Sequence, residues 1–327
     1  MAIKSRFALP LLAVLVATPA APTEHLDCSA ELAAIASGLA VIQFVEELGA
    51  PKLDPATLPA PYFEEGYCRV GYLEIPTDIT GTMHHFIRID GLKWSAEWSN
   101  TPPAPQLRAL TIEIDGFRPL LRSDVLSPAE NYINALLMDL DKINGRIAYH
   151  IDPEEGLFHL DALEFDLRHE HVGLSASLSE VDPLLLAAEG PSPELALNVR
   201  VHEFEFRART RSLVQSIGYV WMPLIYPEFG ATPQQAVEEF KNTLIAGIAA
   251  LPNGLMSSNS RTDFAEFFAA LPDPEGELFI SFSSSAGFSS MDILPMLAGE
   301  TLEPLSIMEL LEQKDAQFSA SWTPGAQ

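Results

Sequence analysis

His169 and His171 stand two residues apart in a segment whose apolar residues alternate, so the spacing predicts both imidazoles on one face of a strand. His159 lies earlier in the same predicted hairpin, and His150 falls on the neighbouring strand. Neutral imidazole is a good ligand for Zn and Cu, and an H-x-H pair joined by a further histidine offers a metal site. The pair also ends an apolar face beside Asp161, Asp166 and Glu170, where half-buried histidines bonded to carboxylates are the plainer arrangement. Metal binding by His159, His169 and His171 is therefore disfavoured, and no cofactor is expected.

Arg207, Arg209 and Arg211 recur at period two and so share one face of a strand, in a chain with only 19 basic residues. Such a row either clamps an anion or pairs with acids on adjacent strands, with Glu203 and Asp166 as candidate partners. Immediately afterwards, Leu213 to Phe229 is apolar and aromatic, includes Trp221 and Tyr226, and is interrupted by Pro223 and Pro227. It is too short and too broken to cross a bilayer. Either it is core between a sheet and the following helices, or it joins the arginines in holding a ligand with an acidic head and an apolar tail.

Other chemistry is mostly missing from the sequence. Gly173, Leu174 and Ser175 begin a G-x-S-x-G elbow, but Ser177 stands where its last glycine belongs. There is no P-loop, no G-x-G-x-x-G, no H-E-x-x-H and no EF-hand loop. The two cysteines, Cys28 and Cys68, lack a C-x-x-C spacing and are predicted to form a structural disulfide.

An oxidising compartment suits that pairing, and the N-terminus points the same way. Lys4 and Arg6 precede an apolar stretch from Phe7 to Val16, followed by small residues from Ala17 to Ala21. This order is that of a secretory signal peptide over residues 1–20, leaving a chain that starts at Ala21 with no transmembrane segment. The formal net charge is −26, and removing Lys4 and Arg6 leaves 17 basic against 45 acidic residues, or −28. So negative a surface repels phosphate backbones, and nucleic acid is not an expected partner.

The elements that must position these residues are strands first. Between about 67 and 209 the period is mostly two, as in Leu110, Ile112 and Ile114, or Leu174, Ala176 and Leu178 alternating with serines. Alternation of this kind means one buried and one wet face, hence an antiparallel sheet. Ile87-x-Ile89-Asp90-Gly91-Leu92 is echoed by Ile112-x-Ile114-Asp115-Gly116-Phe117, and each Asp-Gly should bend or reverse its strand at the same place. Near His202 the apolar face switches parity, which predicts a β-bulge.

Helices are predicted over Ala30 to Leu48 after a Ser29 cap, and over Ser127 to Ile143. Beyond a soft boundary at 230, Thr232, Pro233 and Gln235 open a helix to about Leu251. Further helices follow near Arg261 to Ala270, Met291 to Leu297 and Ser306 to Gln313, with strands near Glu277 to Ser283 and Ala316 to Trp322. The fold class is thus α+β: an extended, mostly antiparallel meander partly covered by helices. Residues 21–230 form a first domain of one helix and a sheet, and residues 231–327 a helix-rich C-terminal part packed on it.

No motif identifies a family. On alternation alone, the strands and x-D-G turns of residues 80–210 resemble the sheet-and-groove envelope proteins that shield lipid, which implies an apolar ligand in the sheet's concavity. The functional expectation is an exported, periplasmic or secreted, non-enzymatic binding or scaffold protein of the cell envelope, its partner a lipid, another apolar small molecule or an envelope protein. Arg207, Arg209, Arg211, Trp221 and Tyr226 are the expected ligand-binding residues. The alternative is a hydrolase or metal-dependent enzyme built around the histidine cluster.

Overall fold

The computed structural model describes residues 27–32, 59–76, 83–99, 106–123, 127, 129–133, 142–181, 198–210, 232–289, 291–292 and 304–325. The chain divides into two compact units, one of Met1–Phe158 with Glu180–Val199 and one of His159–Ser179 with Arg200–Gln327. The ladders of established register pair antiparallel, as the alternation requires.

The first unit contains β1 (Tyr62–Glu64), β2 (Tyr67–Val70), β3 (Leu73–Pro76), β4 (Met83–Ile89), β5 (Gly91–Ser99), β6 (Gln106–Ser123) and β7 (Ile143–Asp152). Their order is β1-β2-β5-β6-β7, with β3 attached to β4 and β4 to β6. The 18-residue β6 pairs with β5 along its first half and with β4 along its second. The two copies of the Ile-Asp-Gly echo face each other at the junction: Gly91 is the register partner of Asp115, and Asp90 N–H donates to the Asp115 carbonyl at 2.9 Å. Gly116 takes φ +65° there, which L side chains rarely adopt, and the register with β7 shifts between Ile114 and Phe117. The echo therefore marks a bend shared by two paired strands. Trp94, Leu110, Ile112 and Tyr149 are buried in this unit, the last stacked on Phe158 with centroids 5.0 Å apart.

The second unit orders its strands β8 (Leu157–Leu167), β9 (Glu170–Ser179), β10 (Arg200–Thr210), β11 (Gly276–Ser289) and β12 (Ala316–Pro324). The predicted bulge is present, as a register shift between Val201 and Glu203 against both neighbours of β10. Helices α1 (Pro233–Ala250), α2 (Ser258–Ala269) and α3 (Pro304–Gln313) follow or interleave. Thr232 caps α1 by accepting from Gln235 N–H at 3.3 Å, with Pro233 in the first turn as expected. Ile248, Leu255, Met256, Phe264, Phe267, Phe268, Met308 and Leu311 from the helical segments pack on Ala208, Leu278, Phe282, Ala316, Ala320 and Trp322 of the strands. The helices thus cover one face of this sheet. The part expected to be helix-rich is mixed among its described residues, which hold strands of 14 and nine residues beside α1, α2 and α3.

Several local expectations need correction. Asp27, not Ser29, caps the first helical turn: its Oδ1 accepts from Ser29 N–H at 3.0 Å and Ala30 N–H at 3.3 Å, so helix begins at Cys28. The helix expected to reach Ile143 ends earlier, because Ile143 is the first residue of β7. At its start Ser127 and Glu130 form a reciprocal cap, with Ser127 N–H donating to the Glu130 carboxylate at 2.7 Å and Glu130 N–H to Ser127 Oγ at 3.3 Å. The boundary at 230, the signal segment and most of the helix to Leu48 lie outside the described residues.

Candidate functional site

Alternation on β10 sends Glu203, Glu205, Arg207 and Arg209 to the face opposite the one that α1, α2 and α3 cover. Register then sets their neighbours. Arg209 stands between His171 of β9 and Glu277 of β11, and Arg207 between Gly173 and Phe279. Arg209 Nε donates to Glu277 Oε1 at 2.7 Å, while an Arg207 amino group donates to Glu205 Oε2 at 2.9 Å and its guanidinium lies 5.3 Å over the Phe279 ring. The acids engaged are therefore Glu205 and Glu277, not Glu203 or Asp166. These arginine side chains are 65% and 62% exposed. Ion pairs this open contribute about 0–1 kcal/mol, so another anion can replace either carboxylate at small cost.

Around the arginines the face is hydroxylated. Ser175 and Ser177 of β9, Ser281 and Ser283 of β11, and Ser319, Ser321 and Thr323 of β12 occupy its positions, and the Ser281 and Ser319 hydroxyls lie 2.7 Å apart. Arg211, Trp221 and Tyr226, the remaining ligand-binding expectations, lie outside the described residues.

The histidines are not arranged as the spacing predicts. His169 sits with Arg168 in the turn between β8 and β9, exposed, so it does not share a strand face with His171. The turn needs a residue of positive φ, and Arg168 supplies it at +54°. His171 Nδ1 lies 2.9 Å from Asp166 Oδ1, and His159 Nδ1 lies 3.0 Å from Ser177 Oγ. His202, which the sequence marked only as a bulge, has Nε2 2.7 Å from Ser179 Oγ and packs its ring over Gly287, where a Cβ would approach to 2.9 Å. Among the described residues no group of three or more His, Cys, Asp or Glu is placed to hold a metal ion, and no helix is long and apolar enough to cross a membrane.

Two further clusters lie in the first unit. Cys28 and Cys68 are joined as a disulfide with Cα atoms 5.5 Å apart, and beside it Glu31 is buried. Trp94 Nε1 donates to Glu31 Oε2 at 3.1 Å and Trp98 Nε1 to Oε1 at 3.2 Å. Burial lifts the Glu31 carboxyl above the ordinary range, the two indole bonds oppose that, and Asp27 adds to it. Nothing in the helical pattern around Glu31 announced this; the available signal was Trp94 and Trp98, two indole N–H groups on one strand that must find acceptors when buried.

The second cluster surrounds Asp90 at the bend. Arg118, 1% exposed, donates to both carboxylate oxygens at 2.7 and 3.0 Å, and Arg88 and Lys142 each approach to 3.1 Å. The Arg118 bonds above all hold the Asp90 carboxyl down at about 2, against the opposing effect of burial. Gly116 is required here, because a Cβ would run into the Asp90 carboxylate. The cluster locks the corner. Compared with known proteins, the chain matches no family model, no curated protein and no solved structure.

Proposed function

We propose that the protein is an exported, non-enzymatic binding or scaffold protein of the cell envelope. Its ligand carries an acidic head and an apolar tail and is taken on the face of the second unit's sheet opposite α1, α2 and α3. The observation that carries this reading is the juxtaposition on that face of two exposed arginines, each in a weak and exchangeable ion pair, with Phe279 beneath one of them. In a chain of net charge −26, an anion approaches such a spot only by local attraction, which favours an amphiphile whose tail adds hydrophobic contact. Export rests on the Lys4, Arg6 and Phe7 to Val16 pattern together with the disulfide.

Native mass spectrometry of the chain from Ala21, followed by solvent extraction, tests this reading. A retained species of lipid-like mass that is absent from an Arg207→Ser/Arg209→Ser double variant is the expected result. A bare polypeptide mass that takes up no added amphiphile would contradict it.

A hydrolase is the second reading, favoured by the serine hydroxyls set against imidazoles at Ser179–His202 and Ser177–His159, since nucleophilic catalysis uses such pairs. Covalent labelling of Ser179 or Ser177 by a fluorophosphonate, abolished in His202→Gln or His159→Gln respectively, would promote it.

A further inference from the structure

Glu31 is 8% exposed, and a carboxylate taken out of water is costly unless its oxygens are bonded. Two indoles satisfy part of that need, both from β5. A further neighbour is sulfur: Cys68 Sγ lies 3.6 Å from Glu31 Oε2, at the reach of a sulfur hydrogen bond. Cys68 is also the register partner of Trp94, which is 0% exposed and donates to the same oxygen. Sulfur and indole thus meet at one carboxylate oxygen. A disulfide sulfur has no proton to give a carboxylate, whereas a Cys68 thiol has one, so an ionised Glu31 gains a donor here only when Cys68 is reduced, and in the oxidised protein the protonated carboxyl suits this place.

We propose that Cys28–Cys68 is an exchangeable disulfide, reduced by a dithiol, in which Glu31 delivers the proton to Cys68 and receives it back on reoxidation. A thiolate of the dithiol attacks Sγ of Cys28, the less enclosed residue: Cys28 is 7% exposed against 2% for Cys68, and Ser29 and Ala30 beside it are exposed. The new bond joins Cys28 to the dithiol, and the electron pair of the old S–S bond moves to Cys68 Sγ. Cys68 takes its proton from the Glu31 carboxyl, leaving a carboxylate held by the two indoles and the new thiol. The second thiol of the dithiol then attacks its own sulfur in the mixed disulfide and releases Cys28, which is protonated from water. With Glu31 left as the carboxylate, the chain gains two electrons and one net proton, the dithiol's second thiol loses that proton to water, and the dithiol leaves as its disulfide. Burial favours the protonated carboxyl that the first step needs, and Asp27, the charged neighbour on the same segment, favours it further. From β2 and β5 the carboxyl faces the sulfur and the two indoles.

The test follows thiol release from the folded full chain in dithiothreitol between pH 5 and 8, by alkylation and mass, with rates divided by the reductant's thiolate fraction. Glu31→Gln, which keeps the shape but has no transferable proton, should slow reduction about tenfold or more and flatten its pH dependence. Trp98→Phe removes a bond to the carboxylate and should carry the parent's rate limb to higher pH. Equal rates and profiles in parent and Glu31→Gln would overturn the proposal, as would reduction that occurs only through global unfolding. If Glu31→Gln does not fold, an unshifted profile in Trp98→Phe overturns it alone.

Discussion

Asp90 gathers three cations, one of them the buried Arg118 guanidinium, and its folded-state carboxyl sits at about 2 against an ordinary value of 3.8. Because the folded value is the lower one, the stabilisation is complete above about pH 4 and disappears as the pH falls through about 2. The shift corresponds to about 2 kcal/mol. Asp90→Asn should abolish that part of the acid dependence. It should also cost about 3–5 kcal/mol at neutral pH, because Arg118 loses its bidentate counter-charge in a buried place. Chemical denaturation of both proteins from pH 1.5 to 7 checks the sign and the size. Tyr149 makes the opposite case: its hydroxyl is buried without a hydrogen-bond partner among the described residues, and burial pushes the phenol's proton affinity up. Removing that oxygen in Tyr149→Phe should leave stability unchanged or raise it by about 1 kcal/mol, read as a midpoint that does not fall. A lowered midpoint would mean that the hydroxyl has a partner.

At the scale of elements, the bend between β4–β5 and β6 depends on backbone that only glycine adopts easily. Gly116→Ala adds both a positive-φ cost and a collision with Asp90, whereas Gly156, at φ +68°, has nothing within 4 Å of an added Cβ. Gly156→Ala should therefore cost about 1 kcal/mol, and Gly116→Ala clearly more, in the same denaturant titration. Equal losses would separate the bend from the Asp90 cluster. The strands were legible because alternation is a direct imprint of one wet face, and the parity change at His202 gave away the bulge for the same reason. The Ile-Asp-Gly echo showed that two places bend, but not that they bend against each other, since pairing partners leave no mark on local periodicity. His169 was misplaced because Leu167 and His171 continue the period of two straight across the turn, and only Arg168 in its positive-φ position interrupts it. Asp27 escaped notice as a cap because the adjacent Ser29 is an equally good capping residue by type.

For the molecule as a whole, the sequence made the sheet, the disulfide and the Thr232 helix cap readable, and left the sites largely hidden. Long-range pairing explains the difference: Arg209 with Glu277, and Glu31 with Trp94 and Trp98, are separated by 68, 63 and 67 residues, and no spacing rule links them. Acidity acts at this scale too, since a chain of net charge −26 repels most anions, and the proposed ligand is held by local attraction at Arg207 and Arg209, on the sheet face opposite α1, α2 and α3.

Calorimetric titration of the chain from Ala21 with a lysophospholipid or dodecanoate, kept below micelle formation, tests that claim most directly. The expected result is saturable binding that weakens about tenfold or more in Arg209→Ala, because a charge-assisted bond to the head group is worth about 1.5–3 kcal/mol. Binding should also weaken with added salt. No saturable heat in the parent protein, or equal affinity in parent and Arg209→Ala, would contradict an amphiphile site on this face.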